Sequence, residues 1–427
     1  MRHHLLPIFA IMLGSVFLMV AGGIQGLVLP LRGSLEAFPT LSLGLLGTGW
    51  AIGYIAGCIY TPRLVRRVGH IRTFGAMAAV CVISVLLTLL FINPAGWIIL
   101  RAATGFCFAG AAMIVESWLN ERAEDRYRGR VFALYSMANL AAVMAGQMMI
   151  PLGNPANHVL FVLAAIFYAL AVLPTAVSTA SAPKPLVETG LDLKALWRNS
   201  PIAFAAAFLI GASNSAYGTL GAVFGENLSL GTATIALMMS LPILAGAAMQ
   251  IPVGYLSDKF DRRLVLMGVA VMALAVDIYF VVLQPDQALP VLIAATVFGA
   301  AIYTVYPIII AHASDKAAPG AFIKVSGGLL LMYGIGGIAG PILSGWIMGA
   351  LPKQGLFITT LSAHILILVY AAVRISQEKA VPEEEKSDYV GMMPGRYATP
   401  ETSALDPRSM EDETAEWGDT PEPLDQH

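Results

Sequence analysis

The sequence predicts an all-α integral membrane protein with twelve transmembrane helices in two pseudo-symmetric six-helix halves. Of its 427 residues, 57% are hydrophobic and 12% are charged, whereas a typical soluble domain has about 25% charged residues. The mean hydropathy is +0.73. Apolar runs long enough to cross a bilayer, about 20 residues each, recur twelve times, and a longer polar linker divides them six and six.

The twelve apolar runs take up most of the first 374 residues. They cover approximately residues 5–30, 43–61, 72–92, 96–118, 130–152, 158–178, 201–225, 233–256, 263–283, 289–312, 322–350 and 354–374. Several contain Gly or Pro, as transporter helices often do. We expect the first run to be a retained helix, because no small-residue cleavage site follows it before Pro30.

Four segments follow from this division. They are an N-terminal six-helix half at 1–178, a cytoplasmic linker at 179–200, a C-terminal six-helix half at 201–374 and a tail at 375–427. The tail holds 14 acidic residues against four basic ones, which leaves 21 basic and 13 acidic residues elsewhere. Because the tail is polar and proline-rich, we expect a disordered acidic cytoplasmic segment; a partner-binding peptide at 396–408 is the alternative.

The basic residues indicate the orientation in the membrane. Apart from Arg32 and Lys353, the bases between runs lie in every second gap. These gaps contain Arg63, Arg66, Arg67, Arg72, Arg122, Arg126, Arg128, Arg130, Lys184, Lys194, Arg198, Lys259, Arg262, Arg263, Lys316 and Lys324. By the positive-inside rule, both termini are expected in the cytoplasm.

A short charged turn at 254–263 separates the eighth and ninth runs. Gly254 allows the two helices to approach closely, and Asp258 can pair with an arginine or accept hydrogen bonds from a helix N-terminus. The first half has a counterpart at 57–72, in which Thr61 stands where the second half has its aspartate. The pattern indicates an internal repeat of the two halves.

The turn at 254–263 resembles the loop signature of the major facilitator superfamily, roughly G-x-L-a-D-r-x-G-r-r, with Asp261 in place of the second glycine. The segment Glu116-Ser-Trp-Leu-Asn120 and the following Arg128-Gly-Arg130 resemble the YcaD-like bacterial branch of that superfamily. The resemblance extends over nearly all of residues 1–374. It implies the major facilitator fold, a transport function and a location in the bacterial inner membrane.

Two further elements resemble superfamily motifs in part. The fourth run contains Arg101-Ala-Ala-Thr104-Gly105, similar to an R-x-x-q-G signature that is linked to proton coupling in related transporters. The eleventh run contains Gly336 to Gly345, similar to a Gly-Pro element that antiporters carry on their fifth helix. Small residues at this spacing permit close helix contact, and Pro341 provides a flexible kink.

The charged residues at the helix ends are the expected gates between the halves. Glu116 is expected to pair with Arg63, Arg66 or Arg67 in one state and to separate in another, and Asp258 to act similarly near Lys324. The expected gating residues are Arg63, Arg66, Arg67, Glu116, Arg128, Arg130, Gly254, Asp258, Arg262, Arg263, His312 and Asp315.

The resemblance implies a central cavity lined by helices 1, 4, 7 and 10 and flanked by helices 2, 5, 8 and 11. The expected substrate-binding residues are Gln25, Arg101, Asn139, Gln147, Asn214, Tyr217, Gln250, Tyr303, Tyr306 and Tyr333. This mixture suits a small organic solute, either anionic or aromatic. The alternatives are interface anchoring or packing for the tyrosines, bridging between helices for the amides and snorkelling for Arg101. Asp277 is either a titrating coupling site or a pairing residue.

Enzymatic chemistry has little support in the sequence. There is no phosphate-binding G-x-x-x-x-G-K-[ST] loop, no H-E-x-x-H motif and no pair of closely spaced cysteines. We therefore expect no catalytic site, no metal, no cofactor and no nucleic-acid partner. The expected partners are a small-molecule substrate, protons and the lipid bilayer, and the expected state is a monomer.

The sequence thus predicts a proton-coupled secondary transporter that works by alternating access, with export favoured over import. A metabolite importer is one alternative. A membrane sensor or scaffold that does not transport, and uses the acidic tail as its output, is another.

Overall fold

The computed structural model describes residues 2–123, 125–176, 193–318 and 320–409. Within these ranges the chain forms twelve long helices, which confirms the predicted fold class. They are α1 (Arg2–Leu35), α2 (Thr40–Val68), α3 (His70–Leu90), α4 (Pro94–Arg122), α5 (Arg128–Met148), α6 (Val159–Leu170), α7 (Pro201–Asn227), α8 (Thr232–Lys259), α9 (Arg262–Ile278), α10 (Ala288–Ser314), α11 (Phe322–Ala350) and α12 (Gly355–Gln377). Most of the expected linker, residues 179–192, lies outside the described residues.

Local sequence signals set several helix ends. Gly69, between α2 and α3, has a φ of +88°, a conformation that favours glycine. Asn93 caps α4 by accepting a hydrogen bond from the backbone N–H of Gly96 at 3.1 Å. Asp261 caps α9 in the same way, accepting from the N–H of Arg263 at 2.9 Å. Two of the short segments predicted between apolar runs therefore contain the N-cap residue of the next helix.

Eleven helices in the described part of the chain are long and apolar enough to cross a membrane, and α7 is not among them. α7 has 27 residues, so its length is sufficient. Ser213 and Asn214 lie near its middle and are buried. These polar side chains are accommodated because α7 packs against α11, α12, α10 and α1.

Glycines bring helices into close contact within each half. In the first half, a Cβ atom at Gly53 of α2 would lie 1.9 Å from the carbonyl oxygen of Ala102 in α4. In the second half, a Cβ at Gly336 of α11 would lie 1.9 Å from the carbonyl oxygen of Phe208 in α7. The small residues of the eleventh run therefore permit the close helix contact that was expected of them.

The two halves touch each other at one end of the bundle. The Thr48 hydroxyl of α2 donates to the carbonyl oxygen of Ile338 in α11 at 2.9 Å. The Ser240 hydroxyl of α8 donates to the Gln147 side chain of α5 at 3.0 Å. We call this the closed end, and we call the opposite end, which carries the α2–α3 and α8–α9 turns, the basic end.

Residues 378–409, which we call the tail segment, lie in the cleft between the halves at the basic end. The expectation of a disordered tail is therefore wrong for these residues, and 410–427 lie outside the described residues. Thr399, Thr402 and Leu405 are buried. The physical reason is that buried polar side chains of the helices satisfy the polar groups of the tail segment, so that its composition does not require solvent.

Candidate substrate cavity and gates

A cavity of about 400 Å³ lies between α2 and α11. Trp50 and Tyr54 line it from α2, and Tyr333 lines it from α11. Arg396 of the tail segment forms another part of its wall. The cavity therefore has aromatic walls and a cationic group that comes from the same chain.

The Arg396 guanidinium lies over the Trp50 ring, 5.3 Å from its centroid. The Trp50 and Tyr54 rings are themselves 4.8 Å apart. A cation over an aromatic face is attracted by the ring quadrupole, most strongly when both groups are removed from water. The aromatic rings of the cavity wall can therefore stabilise the positive charge of Arg396 without a carboxylate partner.

Among the expected substrate residues, Tyr333 lines the cavity, and two other tyrosines and an asparagine lie close to it. Tyr333 and Tyr306 pack edge to face with centroids 5.1 Å apart, and Tyr303 is also buried. The Asn214 amide and the Tyr333 hydroxyl are buried and lie close enough to interact with each other. Both groups have further donor and acceptor capacity, so they are suited to receive a polar ligand.

Four other expected substrate residues hold helices together. Tyr168 donates to Gln25 at 2.8 Å, and Ser15 donates to Asn139 at 2.9 Å. Tyr217 donates to the carbonyl oxygen of Met238 at 2.8 Å. Gln147 accepts from Ser240 at the closed end, as described above. Bridging between helices, the alternative for polar groups in membrane spans, accounts for the contacts of these four residues in this state.

Gln250 and Arg101 both lie close to the tail segment. Gln250 accepts from the N–H of Met392 and donates to its carbonyl oxygen, both at 2.9 Å. Arg101 is buried and close enough to Arg396 and Tyr397 to interact with them electrostatically. In the described part of the chain, no carboxylate lies within 4.0 Å of the Arg101 guanidinium.

The expected gate of the second half is assembled around a buried ion pair. Arg262 donates to the two carboxylate oxygens of Asp315 at 2.6 and 3.2 Å, and both side chains are 1% exposed. Arg262 also contacts Asp258 at 3.3 Å. The structure therefore brings Asp258, Arg262 and Asp315 together. Lys324 is not a partner of Asp258 here.

Arg263 and His312 lie beside this cluster and have different surroundings. Arg263 contacts Asp261 at 2.7 Å and donates to the carbonyl oxygens of Arg374 and Glu378, so that it caps α12. Burial raises the pKa of Asp261, but hydrogen bonds from Arg263 lower it further, and the net pKa is below its usual value. His312 is buried, and its Nε2 has no partner within the described residues.

Glu116, the expected gate acid of the first half, is fully buried in α4. Its carboxylate accepts hydrogen bonds from Tyr135 at 3.0 Å, from Thr402 at 2.8 Å and from Thr399. Its partners in this state are thus three hydroxyl groups. Pairing with Arg63, Arg66 or Arg67 stays a prediction for another state.

The expected arginines of the first half lie around the mouth of the cleft. Arg63 lines the cavity, and Arg128 donates to the carbonyl oxygen of Ala404 in the tail segment at 3.5 Å. Arg66, Arg67 and Arg130 are exposed at the basic end. The basic end therefore presents several arginines around the cleft.

A series of buried polar side chains inside the second half includes His364, which is not among the functional residues expected from the sequence. His364 of α12 contacts Asp277 of α9 through Nδ1 at 2.6 Å, and its Nε2 lies 3.3 Å from the Ser213 hydroxyl of α7. Thr360 donates to Asp277 at 2.6 Å. Asp277 thus has the pairing role that was considered as an alternative. The feature of the sequence that could have indicated His364 is its position, as a histidine within the apolar run at 354–374.

The sequence model of the Major Facilitator Superfamily matches residues 11–317 and, in a second match, 203–391. The chain belongs to this superfamily. It is 26% identical over 372 residues to the MFS-type transporter YcaD of Escherichia fergusonii, which covers 85% of this chain and 94% of that protein. It is 25% identical over 369 residues to YcaD of Salmonella enteritidis, with the same coverage. The expected resemblance to YcaD is confirmed.

Solved transporter structures share the fold. The nucleoside transporter NupG superposes with a TM-score of 0.70 at 15% identity, covering 87% of this chain and 98% of that one. A bacterial homologue of the lysosomal transporter Spinster, in an inward-facing and occupied conformation, superposes with a TM-score of 0.71 at 15% identity. The match covers 89% of this chain and 97% of that one. A D-xylose–proton symporter superposes with a TM-score of 0.62 at 16% identity, and the match covers 90% of this chain and 98% of that one. This major facilitator protein is thus a multi-pass membrane transporter.

Proposed function

We propose that this protein carries a small organic solute across the bacterial inner membrane by alternating access, coupled to protons, with both termini in the cytoplasm. The observation that carries the proposal is the cavity between the two halves, which contact each other at the closed end. In this arrangement the basic end faces the cytoplasm, and the closed end faces outward. The positions of the basic residues support this orientation.

The cavity chemistry favours an aromatic or amphipathic solute. Trp50, Tyr54 and Tyr333 offer ring faces, and the Tyr333 hydroxyl and the Asn214 amide offer hydrogen-bonding groups. A pocket with mostly apolar walls and a few polar groups is the usual design of a small-molecule site. We infer that the rings supply most of the contact area and the polar groups fix the orientation of the solute.

Alternating access requires the contacts at the closed end to break when the basic end closes. The hydrogen bonds of Thr48 and of Ser240 across the halves belong to the state described here. The proposed pairs of Glu116 with Arg63, Arg66 or Arg67 would belong to the other state. A solute shifts the balance only through its different affinity for the two states.

We base proton coupling on Arg101, which is buried and belongs to the segment Arg101-Ala-Ala-Thr104-Gly105, similar to a signature linked to proton coupling in related transporters. The similarity to a structure named a D-xylose–proton symporter is consistent with this. The coupling test is solute flux in liposomes with and without an imposed pH gradient. Flux that ignores the gradient and carries no protons would reject coupling and leave solute transport intact.

Export is preferred over import because of the Gly-Pro element on α11, and vesicles of opposite orientation distinguish the two directions. The solute class is tested first, by thermal shift of the purified protein against metabolite and drug libraries, since a ligand that binds the folded state stabilises it. A hit that is weakened by Tyr333→Phe and by Arg101→Ala, but not by the exposed control Tyr255→Phe, supports the cavity as the binding site. A hit unaffected by either variant contradicts it.

A further inference from the structure

The tail segment follows a defined path over the second half before it reaches the cavity. Ser387 donates to Asp315 through its N–H and through its hydroxyl, both at 2.9 Å. The N–H of Tyr389 donates to Asp258 at 3.1 Å. Met392 then makes its two hydrogen bonds with Gln250. Three side chains on α8 and α10 thus hold the backbone of the tail segment.

The middle of the tail segment turns inside the cavity. Gly395 lies against the Tyr333 ring of α11, where an added Cβ would be 3.0 Å from ring atoms. The Arg396 guanidinium reaches α7 at Gly218 and covers the Trp50 ring of α2. The Tyr397 ring is 6.4 Å from that of Phe108 in α4. This turn therefore touches helices of both halves.

The end of the tail segment is held by the first half. The Tyr54 hydroxyl donates to the carbonyl oxygen of Ala398 at 3.1 Å. Thr399 and Thr402 form a capping box for the short helix Pro400–Leu405, and both hydroxyls also donate to Glu116. Hydrogen bonds to an ionised group are stronger than those between neutral groups. The contact is therefore specific in geometry and in charge.

We propose that residues 387–402 are an internal ligand of the central cavity, which holds the transporter open at the basic end and must leave before transport can occur. The proposal rests on the transport function, because transport is the event that is blocked. The segment fills the space into which the two halves would close. It also engages Glu116 and Asp258, the acids expected to form the gates.

The same geometry makes the tail segment and the solute competitors. Arg396 and Gly395 cover Trp50 and Tyr333, the rings that we assign to the solute. A solute that binds these rings therefore releases the tail segment, and a docked tail segment lowers the apparent affinity for solute, because the binding-competent fraction is smaller.

Docking is tested by disulfide trapping in the full chain after Cys58, Cys81 and Cys107 have been replaced by serine. A Cβ at Gly129 of α5 would lie 4.0 Å from the Cβ of Pro407, within the range of a disulfide. Gly129→Cys with Pro407→Cys should oxidise readily, as measured by loss of maleimide-reactive thiols. Gly129→Cys with Glu383→Cys is the matched control, because Glu383 lies on the second half near Lys259. Equal rates for the two pairs would overturn the proposal.

Hydrogen–deuterium exchange of the unmodified chain provides a second measurement of docking that needs no substitution. The amides of Ser387, Tyr389 and Met392 should exchange slowly, since each donates to a side chain of the second half. Exchange at the rate of an unstructured peptide would overturn the proposal even if the cysteine variants failed to fold.

The consequence of docking is tested by the distance between spin labels at Leu35 and Lys353, which lie on different halves at the closed end and are both exposed. The intact tail should give one short distance. Arg396→Ala with Thr399→Val should add a longer distance, because the halves can then separate at the closed end. Unchanged distances would overturn the inhibitory role. None of these three measurements uses a solute, so their failure is distinct from failure of the transport proposal.

Discussion

The hydroxyl of Thr402 donates a 2.8 Å hydrogen bond to the carboxylate of Glu116, across 286 positions of the sequence. Thr399 donates to the other carboxylate oxygen. Glu116 is fully buried, and its remaining partner, Tyr135, lies on the neighbouring helix α5. The docked tail segment therefore satisfies a carboxylate that would otherwise need water or an arginine.

Removing both threonine hydroxyls should release the tail segment. Thr399→Val with Thr402→Val keeps the side-chain volume similar but deletes two donors to Glu116 and the capping box, at a cost of about 1.5–3 kcal/mol for each bond to the carboxylate. We expect deuterium uptake at 387–402 to rise at least tenfold. The control is Thr296→Val, whose hydroxyl bonds only to the carbonyl oxygen of Leu292 in its own helix. Unchanged protection would mean that Glu116 does not hold the segment.

Docking of the tail segment should weaken as the pH rises. Burial, followed by the charge of Glu116, raises the pKa of Glu401 to about 8 from a usual value of 4.5. The docked state therefore favours the neutral carboxyl group of Glu401. The contribution of this group to docking is strongest below pH 4.5, and it is lost as the pH rises through 8. Glu116 of α4 is a charged group that acts on Glu401. Tyr135 of α5 donates to Glu116, and Arg128 donates to the carbonyl oxygen of Ala404.

The measurement is the mobility of a spin label at position 407 between about pH 6 and pH 9, in the chain without native cysteines. Mobility should increase with pH in the parent chain. Glu401→Gln should abolish most of the change, whereas Glu383→Gln, at an exposed position, should retain it. The full shift corresponds to an effect on the order of 5 kcal/mol as an upper limit. A pH response that survives Glu401→Gln would assign the titration to another group.

Gly336→Ala should destabilise the second half. The added methyl group would meet the Phe208 carbonyl oxygen at 1.9 Å, and α7 and α11 would have to separate. Overpacking of this kind costs about 1–3 kcal/mol. Gly349→Ala is the matched control on the same helix, because a Cβ there has no neighbour within 4 Å. Thermal unfolding in detergent should show a lower midpoint for Gly336→Ala only, and equal midpoints would contradict the close packing.

His364→Leu should destabilise the protein by about 3–5 kcal/mol, because Asp277 would remain buried without its imidazole partner. Thermal unfolding in detergent measures the loss. Asp277→Leu added to His364→Leu should recover most of it, since a buried pair can often be replaced by apolar residues of similar volume. The exposed control His158→Leu should change little. If the double variant were as unstable as the single one, the pair would have a role beyond mutual neutralisation.

The fold could be predicted because each membrane helix is a local signal. An apolar run and its flanking charges lie within a few tens of residues, so the twelve helices and the turn at 254–263 could be read directly. Gly336 and Gly340 likewise predicted close contact, since a residue without a side chain permits it wherever the partner helix lies.

The contacts of the tail segment could not be predicted in this way. Its composition is that of a disordered peptide, and its partners Glu116, Gln250 and Asp258 lie on helices far away in the sequence. Only the sequence Thr399-Pro-Glu-Thr402 carried a local signal, that of a helix start. The same limit applies to Gln25 and Asn139, whose partners Tyr168 and Ser15 become neighbours only after the helices have packed.

The contact between α7 and α12 has a consequence for biosynthesis. Ser213 finds its partner, His364, on α12, which is the last long helix to leave the ribosome. A polar side chain within a membrane helix needs a partner on another helix, so that the packing of α7 depends on helices made after it. The first half can assemble during translation, whereas the second half stays incomplete until almost the whole chain has been synthesised. Premature termination before α12 should therefore leave α7 exposed to membrane quality control.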